Sequence, residues 1–561
     1  MRRDPARMAV DEYDVVVVGG GIYGACIAWE AALTGLKVAL IEAGDFGHAT
    51  SSNSLRTLHG GLRHLQRLDF TRMRESILAR REWLQLAPHL ARPMRFALPT
   101  FGHGLRGPEV MRVALRMNDL ISFDRNRDVE AARRLPSSRM WSEQIARAVF
   151  RGTDIPGCNG AAIWYDAVCT NTERLLISVV AAASKAGATV ANYVRATEVV
   201  LTRGAVSGVR ARDELTGQER VIRAPAVVNA TGPRVSDWIA RPDSAAPLFR
   251  PSKAFNLLTR PLPFQEGIGL SVPALGSRQT YFVLPWNGRS LIGTRHLPCA
   301  ATARSAEVSR AEIHDFLADL NRVLGRYRLR GADVLGVFAG LLPESEGSAG
   351  EAGVQLQRAP TITQDGEQGL FSIVGVKWTT SLRVAERAVK LVARYLGKPL
   401  QRRPERCLVV GERFEPPAPA SHAIWRPGSD VAAHLEEMYG PAWAAVLALV
   451  EENAGLADPV VPDLPVIQAQ LVHAIRREMA VELADIVMRR TPLSLSDALD
   501  SAALETCASI AAQELRWSAQ HRANQVERTA RLLRRFKDPT GDEIHHARTA
   551  PDARTTAIAD H

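Results

Sequence analysis

The segments YDVVVVGGG (13–21), IYGACIAWEAALTGL (22–36) and KVALIEA (37–43) decide the fold. A run of valines ending in three glycines reads as a buried strand that turns sharply. The next segment has the length and apolar content of a helix, and the third is a second short strand. Strand, glycine turn, helix and strand in this order form a βαβ unit. Gly19, Gly21 and Gly24 fit the GxGxxG spacing, and each has a separate task. Gly19 permits the tight turn, Gly21 lets a pyrophosphate approach the backbone, and Gly24 lets the helix pack on the strand. The helix N-terminus offers amide donors and a positive dipole end to the phosphates. Glu42, at the end of the second strand, is placed to accept hydrogen bonds from a ribose diol. The expectation is a Rossmann-type dinucleotide site.

Working outward, the chain has 561 residues, enough for two or three structural units. It carries no apolar run long enough to span a bilayer, and MRRDPARMAV (1–10) reads as a short basic tail without the apolar core of a secretory signal. These features point to the cytoplasm. Six cysteines (Cys26, Cys158, Cys169, Cys299, Cys407, Cys507) are widely spaced with no CxxC pair. That argues against a zinc site and a disulfide framework, and makes them buried small hydrophobes. No metal is expected. The formal charge of +10, mostly arginine, favours an anionic partner without choosing among phosphorylated substrates, acidic lipids and nucleic acid. Arginine richness is equally compatible with genome composition alone. No basic tract is interleaved with aromatics, so nucleic acid is not expected.

NAD and FAD share the glycine turn. VVNATG (227–232) separates them: it is similar to the apolar strand ending in Ala-Thr-Gly that lies beside FAD in two-dinucleotide-binding flavoproteins, and implicates Ala230, Thr231 and Gly232 in binding FAD. Several further motifs occur in a specific joint order. They are ATSSNSLRTLHGGLRHLQ (49–66), APHLARPMRFALPT (87–100), NATGPRVSDW (229–238), VLPWNGRSLIGT (283–294), GVKWTT (375–380) and REMAVELADIVMRRT (477–491). Together they resemble the FAD-dependent glycerol-3-phosphate dehydrogenases, over about residues 13–533. The resemblance implies an α/β fold: a Rossmann-type FAD domain, an antiparallel-sheet substrate domain and a C-terminal α-helical domain. In this sequence the flavin domain is expected at about 13–100, 187–250 and 335–400, and the substrate domain at 101–186 and 251–334. A linker is expected at 401–428, the helical domain at 429–537 and a disordered tail at 538–561.

The reaction so implied is oxidation of the C2 hydroxyl of glycerol 3-phosphate to dihydroxyacetone phosphate, with electrons passed to quinone at a membrane surface or to oxygen. The partners are then a small anionic substrate, one of these acceptors and a peripheral membrane contact on the inner face, with a homodimer left open. A basic, apolar helix candidate between Glu109 and Arg127 would turn Val110, Ala114, Met117 and Ile121 to one face, with Arg112 and Arg116 at headgroups.

Cofactor contacts are also expected from Thr50, Ser51 and Ser52, from His59, Gly60 and Gly61, and from Gly375, Thr379 and Thr380 at the start of a helix. Arg63, Arg295 and Lys377 are candidate substrate ligands, since guanidinium and ammonium groups suit a phosphate. Hydroxyl oxidation needs a base, and Lys377, His64 and His296 are the candidates. The sequence departs from the family pattern at the substrate site. Leu342 and Gln364 occupy family arginine positions, Asn256 replaces a histidine, His64 a tyrosine, Leu382 an arginine, and Arg295-His296 a Thr-Asp pair. Arg295 and Arg358 are the expected replacement cations. These changes keep open a different hydroxy acid or amine as substrate. The basic charge and the resemblance to flavin folds that modify tRNA keep open a tRNA-linked flavoprotein, and a catalytically silent flavin-binding protein is the non-enzyme alternative.

Overall fold

The computed structural model describes residues 1–153, 155–238, 250–263, 267–273, 280–300, 303, 306–345, 354–357, 359–364, 368–375, 377–408 and 430–537. The opening βαβ unit is present, with strands Val15–Val18 and Val38–Ile41 flanking helix Ile22–Leu33. Val15–Val18 is the centre of a six-stranded sheet. Ala226–Asn229 and Leu370–Val374 lie to one side, capped by the antiparallel edge strand Thr361–Gln364, and Val38–Ile41 and Thr189–Ala191 lie to the other. The central strands are buried on both faces, which is why they read as continuous valine and alanine rather than alternating.

A second, larger sheet forms the substrate side. It runs from Val334–Glu344 through Arg250–Thr259, Arg289–Pro298, Thr280–Trp286 and Ile268–Pro273 to Ala91–Phe101 and Cys158–Cys169. Its pairings are antiparallel except where Ile268–Pro273 meets Ala91–Phe101. A three-stranded meander, Val194–Thr202, Ala205–Asp213 and Glu219–Arg223, flanks the parallel sheet. From Asp430 to Lys537 the chain is helical.

The units interleave differently from the expected boundaries. Helix Thr172–Lys185 shares the flavin-side apolar core with Ile22–Leu33, so the chain returns to the flavin unit before residue 187. Conversely, Ala91–Phe101 and Val334–Glu344 belong to the substrate sheet. The expected linker is also shorter at its start. Arg406 is buried against Glu30, Glu82 and Glu386, and Leu408 joins the flavin-side core. A stretch that is Pro/Arg-rich in sequence is thus anchored by three carboxylates that sequence alone does not bring together. The remainder of the linker, the tail 538–561 and Arg358 lie outside the described residues.

The N-terminus is not a free tail either: Asp4 caps helix Pro5–Val10, Met8 is buried, and Arg3 pairs with Asp213 at 2.5 Å. Of the cysteines, Cys26, Cys158, Cys169 and Cys507 are buried as expected, whereas Cys299 is partly exposed and Cys407 exposed. Among the described residues no group of His, Cys, Asp and Glu could hold a metal, and no helix is long and apolar enough to cross a membrane.

Candidate active site

A cavity of about 2620 Å³ runs between the parallel sheet and the substrate sheet. A single small ligand typically fills about 300–1000 Å³, so the space suits an extended cofactor and a substrate together. At one end lie Gly19, Gly21 and Glu42. Gly19 has φ +107°, a left-handed conformation, and a Cβ there would sit 2.5 Å from the Ala230 carbonyl oxygen. A Cβ on Gly24 would come 1.8 Å from the Gly19 carbonyl oxygen, so the helix can lie on the strand only with glycine. Gly21 caps helix Ile22–Leu33 and faces the cavity. The Glu42 carboxylate accepts from Gly20 N–H at 2.6 Å and Gly44 N–H at 2.8 Å, which fixes it at the cavity wall.

The neighbouring segments are held by specific contacts. Ser51 Oγ accepts from Ile22 N–H at 3.0 Å, and Thr50 Oγ1 donates to the Leu341 carbonyl at 3.1 Å, joining the hydroxyl-rich loop to the substrate sheet. Ala230, Thr231 and Gly232 line the wall. So do His59, Gly61, Gly375 and Thr379, where His59 N–H donates to Thr379 Oγ1 at 3.1 Å. Besides Gly24, which packs on the strand, three of the expected cofactor residues sit behind the wall instead. Ser52 is turned to the Gly47 carbonyl, Gly60 N–H donates to buried Asp166, and Thr380 is buried as the N-cap of helix Ser381–Leu396. They shape the wall without lining it.

At the other end Arg63, His64, Lys377, His296, Asn256 and Leu342 all line the cavity. Lys377 Nζ lies 2.7 Å from His64 Nε2. Burial first, then Arg63, pushes the Lys377 ammonium down to about 8. His64 is pushed down to about 4 by burial, then by Lys377 and Arg63, and His296 to about 4 by burial, then by Arg63. Burial and the nearby Arg67 lower Arg63 itself. Near neutral pH, of these four groups Arg63 and Lys377 are cations and the two imidazoles are neutral, so Lys377 donates and His64 Nε2 accepts; Arg67, Asp69 and Arg72 also line the cavity beside them.

Arg295 is the clearest correction. Its side chain leaves the cavity and meets Asp319 at 2.5 Å and the Tyr281 hydroxyl at 3.2 Å, over the Phe316 ring. Successive strand residues face opposite sides of a sheet, so Thr294 and His296 face the cavity and Arg295 cannot. Gln364 is exposed on the edge strand, away from the cavity, and Leu382 is buried in the helix core. Asn256 lies on the strand beside His296: Ala254 is paired with His296 across the ladder, and Thr294 Oγ1 donates to Asn256 Oδ1 at 2.8 Å.

Sequence reading missed Asp166 and Tyr23. Asp166 is a cavity-lining carboxylate that pairs with Arg80 and accepts from Gly60 N–H at 2.7 Å and Trp164 Nε1 at 3.2 Å. The available signal was an acidic residue inside the apolar strand AAIWYDAVC (161–169), a position where charge survives only if paired. Tyr23, inside the fingerprint itself, packs on Gly375 and donates its hydroxyl to the Lys377 carbonyl at 2.7 Å. It ties the dinucleotide helix to the lysine turn.

Residues 14–391 match the FAD dependent oxidoreductase family, and residues 416–522 match the C-terminal domain of alpha-glycerophosphate oxidase. A glycerol-3-phosphate dehydrogenase of Synechocystis sp. is 31% identical over 506 residues, covering 86% of this chain and 89% of that protein. The chain belongs to the FAD-dependent glycerol-3-phosphate dehydrogenase family. The human mitochondrial glycerol-3-phosphate dehydrogenase is 29% identical, covering 95% of this chain and 75% of that one. Among solved structures, the Bacillus halodurans glycerol-3-phosphate dehydrogenase complexed with FAD superposes with a TM-score of 0.72 at 22% identity, covering 95% of this chain and 97% of that one. This likeness establishes the shared fold.

FAD is the cofactor of the family, and the residues fit it. The glycine cradle leaves open the space that a Cβ at Gly21 would narrow, the Ile22–Leu33 helix presents its N-terminus there, and the fixed Glu42 carboxylate suits a ribose diol.

Proposed function

We propose that this protein oxidises the C2 hydroxyl of sn-glycerol 3-phosphate to dihydroxyacetone phosphate. The observation that carries the reading is the convergence of Arg63 and Lys377 on the far end of the FAD cavity, beside two histidines held neutral. Two cations in one partly desolvated site are costly without an anion, and a phosphate satisfies both. The names of the relatives agree with that choice of anion.

Bound FAD supplies the two-electron acceptor for the C2 hydride. The chain's own groups do the rest. Arg63 and Lys377 hold the phosphate, and Lys377 keeps the His64 imidazole oriented by donating to it. His296 takes the hydroxyl proton. It supplies the imidazole that Asn256 lacks, from the adjacent strand and the same face of the sheet. A bound phosphate also cancels the repulsion from Arg63 that lowers His296, which raises its proton affinity when substrate is in place. Formation of dihydroxyacetone phosphate from sn-glycerol 3-phosphate with an artificial electron acceptor tests the reaction; turnover of glycerol, a hydroxy acid or an amine in its place overturns it.

The electrons pass to a quinone at a membrane surface. In helix Pro108–Ile121, Ala114, Met117 and Ile121 pack on Leu65, Met73 and Ile77, so most of the expected inner face is covered. Val110, Val113, Leu120, Leu105 and Phe123 are instead exposed beside Arg112 and Arg116, with Leu105, Val110 and Val113 also lining the cavity. Apolar side chains fringed by arginine suit an anionic bilayer surface. Flotation with acidic vesicles at low salt, lost at high salt, is expected; protein left in the soluble fraction at low salt overturns this part.

A further inference from the structure

Asp45 lies in the turn directly after Glu42, and its carboxylate is fully buried. Arg490, from the C-terminal helical unit, donates to both of its oxygens at 2.7 Å, and Arg489 Nε donates to Oδ2 at 2.6 Å. Asn192 Nδ2 donates to Asp45 Oδ1 at 3.1 Å and to the Met479 carbonyl at 2.8 Å. The same turn fixes the cofactor wall: Tyr193 N–H donates to the Gly44 carbonyl at 2.8 Å, and the Tyr193 hydroxyl donates to Asp485 at 2.7 Å. Glu42, Gly44 and Tyr193 line the cavity, and the C-terminal unit adds Glu482 and Arg528 to its lining. Buried ion pairs are a poor way to gain stability, because desolvation offsets most of the attraction; what they can supply is a fixed register between elements.

We infer that the C-terminal helical unit is a working part of the adenosine half of the FAD site, with the Asp45–Arg490 clamp positioning the Glu42–Gly44 turn. The inference rests on the FAD assignment. The molecule contains its own control. Arg174 and Glu478 form a second buried pair between the same two units, with contacts of 2.6 and 2.8 Å; neither pair lines the cavity itself, but Arg174 sits in helix Thr172–Lys185 rather than in the turn after Glu42, and the Glu478 carbonyl also accepts from Arg490 at 3.0 Å. A mere staple between units would make the two pairs equivalent.

The test is titration of FAD, and separately of ADP, into flavin-stripped full-length protein, alongside its thermal midpoint, for the wild type and for Asp45→Asn, Arg490→Lys and Arg174→Gln. The Asp45 and Arg490 variants are expected to lose about tenfold or more in FAD affinity, the scale of one charge-assisted hydrogen bond, and to lose ADP affinity by the same factor. Arg174→Gln should lower the midpoint while leaving both affinities within about threefold of wild type, the spread of a neutral change. Arg490→Lys keeps the charge, so it carries the reading if Asp45→Asn fails to fold. Wild-type affinity in Arg490→Lys, or an equal loss in Arg174→Gln, overturns the clamp. Wild-type protein that binds neither FAD nor ADP overturns the cofactor assignment instead.

Discussion

At the dinucleotide end the cavity wall is largely backbone: Gly19, Gly21 and Ala230 meet the ligand space through main-chain atoms, and Glu42 is pinned by two amides. At the substrate end the wall is side chains, Arg63, His64, His296 and Lys377, projected from a short turn, a strand and a loop. The first kind of site is written in spacing, because only glycine permits the close approaches. The second depends on which way each strand residue points and on what else competes for its charge. The two ends should therefore fail differently when altered.

The largest effect is expected at the backbone end. Gly24→Ala places a Cβ 1.8 Å from the Gly19 carbonyl oxygen. Such an overlap should cost more than about 4 kcal/mol and yield protein without flavin. The ratio of flavin to protein absorbance reads this directly, and soluble Gly24→Ala with stoichiometric flavin would break the contrast. At the side-chain end, Lys377→Ala should keep its flavin but lose roughly 10–100-fold in kcat/KM for glycerol 3-phosphate, from one lost charge-assisted contact. Equal kinetics in the variant and the wild type would remove Lys377 from the anion site.

The sequence made the first end legible almost to the residue, because strand, glycine turn, helix and acid follow one another in a single stretch. At the second end Arg63, His64, His296 and Lys377 were identifiable from motif segments, but Arg295 was placed there too. Its neighbour His296 shows why that failed. One residue along a strand reverses the face, and Asp319, on a helix distant from the motif, claims the guanidinium. Asp45 and Arg490 were unreadable for a related reason: their pairing joins the two ends of the chain, and no local pattern marks it.

The pH dependence sharpens the substrate end. With Lys377 near 8, kcat/KM for an anionic substrate should fall as pH rises through about 8, because the neutral amine cannot pair with phosphate. Lys377→Arg should carry that limb beyond the measured range. The stability contribution has the opposite sign. Unfolded Lys377 binds a proton up to its ordinary value of 10.5 while the folded form releases it near 8, so this group favours folding increasingly as pH climbs between the two. A kcat/KM that rises through 8 instead would make Lys377 the base. The smallest effect is expected at Arg295. Arg295→Ala should leave the Michaelis constant within about twofold and cost about 1 kcal/mol of stability, from a partly exposed ion pair and lost packing on Phe316. A large rise in the Michaelis constant would return Arg295 to the site.

The central claim is that the cation-lined end makes this flavin cavity a site for a phosphorylated alcohol. Anaerobic mixing of the holoenzyme with sn-glycerol 3-phosphate and, separately, with glycerol, followed by the absorbance of oxidised flavin, tests it most directly. Bleaching by glycerol 3-phosphate and none by glycerol at the same concentration is the expected result. Flavin that stays oxidised with glycerol 3-phosphate and is reduced by an uncharged alcohol or an amine would contradict it.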